Sequence, residues 1–450
     1  MRKITLPVLL GLLLPLLPGQ ALAQFEDPNN ARRIVSQRFF ARSLDREFEL
    51  NFRRVGAAAL GMGGAHVASS RSLETMLWSP AGLAQAPGLR LAVDGSLNLN
   101  SQEVALQPLA GMKVVSEIAP RLLPGFAGAA YSFSLGGRRL TAGFAYHRMS
   151  PLAQKTTDTF YIYPAGTSAE VETPSGGLYA VSPLLAVDLL PQLSLGAGFH
   201  LLDGFSKYKL ELKSVFLDQT VFYSFVDEEA YSGSFATVGI QARPMDWLAL
   251  GVTLTPGWRF EIVEKSESVS LPTLVVADTI GVSYETPANL LNKFALELPM
   301  FYTVGLALKP LARLTLAFDY EARPWASARV SNNGVKQDAS LLDGNAIHLG
   351  LEYRAATSGV EFPLRLGFYT DPSPYKDRYF KGRYLGRQIQ TNVMTFGLGL
   401  HKAAWQVDMA FERGTREMQW WLSSGDFYNE RLSTTELRFN EITFTLAYRF

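Results

Sequence analysis

Five histidines, His66, His147, His200, His348 and His401, are the residues best suited to proton transfer or metal ligation in this chain. They are scattered, and no two stand at the short intervals a metal site requires. A serine nucleophile needs a frame such as Gly-x-Ser-x-Gly, and none occurs, nor does His-Glu-x-x-His. Ser206-x-x-Lys209 matches a short nucleophile pattern without its companion motifs, so chance explains it. There is no cysteine, so thiol chemistry and disulfide staples are both excluded. The sequence reads as a protein that is not an enzyme and needs no cofactor and no metal. His200 and His348 alternate with apolar neighbours and are expected simply to face an interior.

A different residue type carries the local signal. Val55 to Ala68 is dense in small residues and contains Gly61-Met62-Gly63-Gly64-Ala65; Trp78-Ser79-Pro80-Ala81-Gly82 follows. Glycine and alanine at this density let backbone pack against backbone, or let the chain take a positive φ. That is what a compact plug inside a lumen needs. The run is not a dinucleotide fingerprint, because Gly61-x-Gly63 lacks the third glycine and no strand–helix unit frames it.

The element that would surround such a plug is announced at the C-terminus. Ile442, Phe444, Leu446, Tyr448 and Phe450 fall on one face of a strand, and Thr443, Thr445, Ala447 and Arg449 on the other. A period of two with one wholly apolar face marks a strand between two media. At the other end, Arg2 and Lys3 precede an apolar stretch, and Ala21-Leu22-Ala23 offers a small-x-small cleavage site. Residues 1–23 are therefore expected to be a secretory signal peptide. Hydrophobic residues make up 47% of the chain and aromatics 12%. No later run of about 18 apolar residues exists to span a membrane as a helix. An exported, apolar-rich chain of this kind is either a large soluble β protein or a closed membrane barrel, the one non-helical structure that satisfies every backbone group in lipid. The formal net charge of +1 gives no case for nucleic acid.

Alternation recurs along the chain and favours the barrel. Leu298, Met300, Tyr302, Val304, Leu306 and Leu308 are expected on one face. The sets 314–320, 347–353, 362–368, 394–400 and 405–411 behave alike, and their opposite faces carry Asp, Glu, Arg, Gly and Thr. Strands of about 9 to 11 residues match a tilted crossing of the hydrocarbon layer. Tyr320, Trp325, Tyr353, Trp405 and Phe450 fall where interfacial aromatic girdles belong. Earlier strands are expected near 89–99, 126–135, 140–149, 178–190, 193–202, 235–243 and 247–262, with one or two more within 207–226. The sum is roughly fourteen strands, an all-β transmembrane antiparallel barrel. Short connections at 136–137 and 191–192 alternate with long ones at 149–177, 264–297, 323–345, 370–392 and 415–437, which are expected outside the cell.

With those residues in view, the chain resembles the FadL-type outer-membrane transporters of long-chain fatty acids and other hydrophobic compounds. The resemblance rests on 54–68 and on Trp78-Ser79-Pro80-Ala81-Gly82-Leu83, and extends through 302–325, 348–371 and 395–414. Two departures stand out: Ser79 where the family has Asn, and Ser69-Ser70-Arg71 where acidic residues are common. The resemblance implies an N-terminal hatch made by Gly61, Met62, Gly63, Gly64, Ala65, Trp78, Ser79, Pro80, Ala81 and Gly82. It implies passive uptake of hydrophobic small molecules, fatty acids or aromatic hydrocarbons, through an apolar path and a hatch rearrangement. Tyr448 and Phe450 would serve as the signal read by the barrel-assembly machinery, with outer-membrane lipid as the other partner. The expected organisation is a signal peptide (1–23), an Arg-rich periplasmic extension (24–53), a hatch (54–87) and a barrel (88–450) in the bacterial outer membrane. The same Met-Gly-Gly-Ala and Pro-Ala-Gly runs also resemble barrels of the type IX secretion machinery, so a protein-secretion shuttle or scaffold is the alternative.

Overall fold

The computed structural model describes residues 55–450 except 70–71, 86–87, 107–111, 151–155, 163–165, 217–218, 277–278, 281–284, 289–291, 333–334, 340, 381–382 and 423–430. The signal peptide and the Arg-rich extension lie outside the described residues. Among the described residues no helix is long and apolar enough to cross a membrane.

Period-two alternation builds the wall, because successive strand side chains must point to opposite faces. In the terminal strand Arg431–Arg449, Phe444 and Leu446 stand exposed while Thr443 and Thr445 are buried. The same division holds for Phe144, Leu366, Met394 and Phe396, all exposed on the outside. An apolar belt of this extent is foreign to a soluble monomer and is what a lipid-facing barrel requires.

Fourteen antiparallel traverses close the sheet. The first seven are Leu89–Asn98, Arg121–Leu135, Arg138–Ser150, Gly166–Leu190, Leu193–Phe216, Gln219–Met245, and Leu248–Thr255 continued by Trp258–Val276. The second seven begin with Asn292–Leu298 continued by Phe301–Leu311. Leu314–Ala322, Ala346–Thr357, Val360–Phe380, Arg383–Lys402, Trp405–Leu422 and Arg431–Arg449 follow. Closure is made by Leu89–Asn98 against Arg431–Arg449, in register from Arg90↔Arg449 to Asn98↔Glu441.

The two ends of the barrel differ. At one, tight turns at 136–137, 191–192, 246–247, 312–313, 358–359 and 403–404 join the strands. There the N–H of Phe450 donates to the carbonyl of Leu89 at 3.0 Å. At the other end the ladders run on well past the lipid-facing belt. Pairing continues to Gly166↔Phe216, and Trp405–Leu422 stays paired with the last strand as far as Leu422↔Arg431. Much of what the sequence presents as loop at 149–177, 264–297, 370–392 and 415–437 is therefore hairpin. An antiparallel ladder satisfies its own backbone groups whatever side chains it carries, so pairing persists where the apolar pattern has ended. The strands expected within 207–226 are the same long hairpins.

A second difference matters more for the bore. The expected single strand 247–262 is broken at Pro256-Gly257, and the neighbouring traverse is broken at Pro299-Met300. Thr255 pairs with Phe301 and Trp258 with Leu298, so the two breaks lie side by side at one level. Each proline lacks an N–H for the ladder. The breaks switch faces. Below them Gly251, Thr253 and Gly305 point inward; above them Trp258, Phe260, Ile262, Leu296 and Leu298 do. Leu298 is thus buried in the bore, not grouped with Met300 and Val304 on the outside as expected.

Candidate functional site

The inner segment fills the bore near the short-turn end. Every residue from Val55 to Ala68 is buried, with one helical turn at Ala57–Gly61 and 3-10 turns at Glu74–Leu77 and Pro80–Gln85. Elements this short cannot hold themselves; the wall holds them. Asp94 Oδ2 accepts from the Gly56 N–H at 2.9 Å, and Thr445 Oγ1 from that of Ala57 at 2.8 Å. Thr395 accepts from the Gly63 N–H and donates to the Gly61 carbonyl, both at 3.0 Å. His348 Nδ1 donates to the Gly63 carbonyl at 2.8 Å, which fixes its tautomer. Asp319 Oδ2 accepts from both His66 and Val67, at 2.7 and 2.9 Å. Gln241 donates to the Val67 carbonyl at 2.6 Å, and Thr253 to that of Trp78 at 3.0 Å. Seven strands thus supply polar side chains to one buried segment, where each unmade bond would cost about 1–3 kcal/mol.

Close approach requires missing side chains on both partners. A Cβ on Gly63 would lie 2.7 Å from the carbonyl of Leu349 and 2.7 Å from Phe368 N, and its φ of +63° already excludes most residues. Wall glycines answer: a Cβ on Gly251 would sit 2.6 Å from the Val67 carbonyl, and one on Gly350 2.6 Å from that of Met62. Gly196 and Gly239 make room for Pro80-Ala81 in the same way. Ala65 packs among Ala307 and Ala317, and Trp78 packs on Leu60 and Ala410 while its indole N–H donates to the Val55 carbonyl at 2.9 Å. Ser79 is fully buried beside Gln241, and Gly82 lies in the last 3-10 turn. The structure therefore gathers the ten small or aromatic residues singled out in the inner segment, from Gly61 to Gly82, into one body. Tyr448 and Phe450 lie elsewhere, on the outer surface at the short-turn end, with ring centroids 4.6 Å apart and Trp405 4.5 Å from Tyr448.

The bore has two chemical halves. Beside the inner segment and towards the short turns, buried Arg365 donates to Glu352 at 2.7 Å and to Asp408 at 2.6 Å, with His401 3.0 Å from Asp408. Towards the long hairpins a large apolar group faces inward, and Leu178, Leu202, Tyr231, Phe260, Leu296 and Ile389 belong to one cluster, with buried Glu229 and Arg416 bonded to Tyr231 and Thr391 beside it. From the connection between Ala322 and Ala346, Trp325, Ala328, Val330 and Leu341 join that cluster. Trp325, expected in an interfacial girdle, is instead fully buried, with the Arg323 guanidinium 5.6 Å from its ring. The apolar wall created by the face switch gives the indole a dry partner surface that the interface lacks.

Between cap and inner segment lies a cavity of about 150 Å³. Trp258, Phe235, Phe301 and Met149 line one part of it; Trp78, Leu77, Val55 and Val67 form the floor. His147, His200, Thr237, Thr253, Thr255, Tyr302, Thr303, Glu321 and Arg323 complete the wall. His200 is fully engaged, with Ser182 on Nδ1 at 2.7 Å and Thr237 on Nε2 at 2.9 Å, and Phe235 stacked at 4.4 Å. Arg323 is held by two hydrogen bonds to Glu321, at 2.8 and 2.9 Å. Of these aromatics the sequence pattern marks Trp78, and it does not mark Trp258, Phe235 or Phe301. The one available signal was the recurrence of inward glycines at a common level on 251, 305, 350, 367 and 397, which places the floor.

No protein-family model and no curated protein matches this sequence. Solved structures do match. A Pseudomonas aeruginosa FadL homologue superposes with a TM-score of 0.58 at 11% identity, covering 89% of this chain and 100% of its own. The toluene transporter TodX of P. putida gives 0.55 at 15%, covering 88% and 98%. The toluene transporter TbuX of Ralstonia pickettii gives 0.51 at 13%, covering 89% and 99%. The chain therefore has the fold of the FadL-type channels, a closed barrel of fourteen antiparallel strands.

Proposed function

We propose that this protein is a passive channel of the bacterial outer membrane that takes up small, neutral hydrophobic molecules. One observation carries the reading: the apolar cluster of the upper bore stands over a cavity whose floor is the inner segment itself. The short-turn end faces the periplasm and the long hairpins face outward, following the usual asymmetry of such barrels. A solute leaves water for the apolar half, rests in the cavity, and passes when residues 55–85 shift as a hatch. Gly61, Gly63, Gly64 and the Trp78–Gly82 run would be the parts that dock and release.

The energetics suit transit. A single aromatic ring buries about 150–200 Å², worth roughly 4–5 kcal/mol gross at about 25 cal/mol per Å². That corresponds to binding near the millimolar range, tight enough to capture and weak enough to let go. Among the described residues lining the cavity Arg323 is the one Arg or Lys, and Glu321 already neutralises it. A free carboxylate would find no unbalanced positive charge there, which favours neutral solutes over fatty acids. The fold likeness supports the same direction, since two of the similar structures are named toluene transporters.

The test is uptake of radiolabelled toluene by cells with and without the protein, with the inner membrane energised or uncoupled. Faster, saturable uptake that survives uncoupling is expected. Equal uptake in both cells, with a stable protein partner in pull-downs, would replace this reading by the secretion-shuttle alternative.

A further inference from the structure

The cavity is not uniformly greasy, and one of its polar side chains, His147, is unpaired. His147 is 6% exposed, lines the cavity, and makes no hydrogen bond; its Nδ1 is wholly enclosed, which leaves the unbonded Nε2 as the ring nitrogen that the cavity reaches. The contrast with His200, 6.2 Å away ring to ring and bonded through both nitrogens, is sharp. Buried polar groups are nearly always satisfied, so an orphan beside a void points to a missing partner. Thr255 and Thr303 bring two further hydroxyls to the same wall. Trp258, Phe235 and Phe301 line the same cavity.

Resting on the channel reading above, we propose that the preferred solute is a neutral single-ring aromatic bearing one hydroxyl group, whose hydroxyl bonds to Nε2 of His147. A volume of about 150 Å³ accepts one benzene-sized ring. The ring would sit among the three aromatics, which favour offset or edge contacts with another π system. A hydroxyl both donates and accepts, so it complements either tautomer of the imidazole. A pure hydrocarbon of the same size would fill the space and leave His147 and both threonines unpaired. A carboxylate would face Glu321, which already occupies Arg323, with Asp371 3.7 Å from the same guanidinium.

The experiment uses the full-length protein in detergent and follows quenching of its tryptophan fluorescence by p-cresol, toluene and benzoate. Trp78 and Trp258, at the floor and wall, are the reporters. Wild type is expected to bind p-cresol about tenfold more tightly than toluene, the worth of one buried hydrogen bond, and benzoate least. His147→Leu should bring p-cresol down to the toluene value measured on the same variant, and His147→Gln should restore part of the preference. Heat-modifiable migration shows that each variant is folded. Equal binding of p-cresol and toluene by wild type, an undiminished preference in His147→Leu, or benzoate binding as tight as p-cresol would each overturn the proposal while leaving the channel reading intact. Binding and uptake of none of the three would overturn both.

Discussion

Gly61 of the inner segment and Gly397 of the wall meet backbone to backbone. A Cβ on Gly61 would lie 2.9 Å from the Gly397 Cα, and one on Gly397 would lie 3.0 Å from the Gly61 Cα. Neither position can gain even a methyl group unless the two chains part. The contact is reciprocal and involves no side chain, so it can be broken from either partner.

Substituting the wall is the cleaner way. Gly397 lies mid-strand, where valine is a good strand former, so Gly397→Val should leave the ladder sound and push the inner segment out of place. Gly63→Val should do the same from the other partner, with an added cost of about 1–2 kcal/mol for its positive φ. Both are expected to raise single-channel conductance in planar bilayers while heat-modifiable migration stays that of a folded barrel. Parental conductance in both variants would remove the plug role.

Glu74 makes docking depend on pH. It sits in the inner segment, 1% exposed, and burial raises its carboxyl from 4.5 to about 7, with Asp408 and Asp94 adding in the same direction. An undocked segment would return it to 4.5. Because the docked form holds its proton to higher pH, docking weakens as pH rises from about 4.5 to about 7 and is flat beyond. The full span is ~3 kcal/mol by linkage. Bilayer conductance should therefore grow between pH 5 and pH 8, and Glu74→Gln should flatten the profile. A wild-type profile without slope in that window would contradict the assignment.

Trp325 is fully buried in the apolar cluster of the upper bore. Trp325→Ala removes a fully buried indole at about 3–5 kcal/mol to the cap locally, without touching the floor of the cavity. Uptake of small aromatics should speed up by severalfold, and solutes with two fused rings should begin to enter. Unchanged rate and size limit would show that residues 323–345 do not gate entry.

Phe450 tests assembly. Its N–H closes the seam on the Leu89 carbonyl at 3.0 Å, and its ring stands exposed against Tyr448. Deleting Phe450 should cut the amount of protein in outer-membrane fractions sharply, with export across the inner membrane unaffected. Wild-type amounts there would mean that the terminal aromatic is not the feature that the assembly machinery reads.

The sequence by itself determined the wall. Alternation is a property of the local backbone, so Phe444 and Leu446 declare an outer face without reference to any partner strand, and fourteen traverses follow from repeating that pattern. The small residues of 55–68 likewise declared a tightly packed segment. What packs against it was decided elsewhere, because Gly397, Gly367 and Asp319 come level with Gly61, Gly63 and Val67 only through registers set between distant strands. The face switch at Pro256-Gly257 and Pro299-Met300 shows the limit most plainly. Read along the chain, Leu298 continues the outward series of Met300 and Val304; only pairing Trp258 with Leu298 across two opposed breaks turns it inward. His147, His200 and Trp258 then share one cavity although nothing in their spacing relates them. A local period cannot report which residues a closed barrel brings to the same height, since that height is fixed by shear and register summed around the whole sheet.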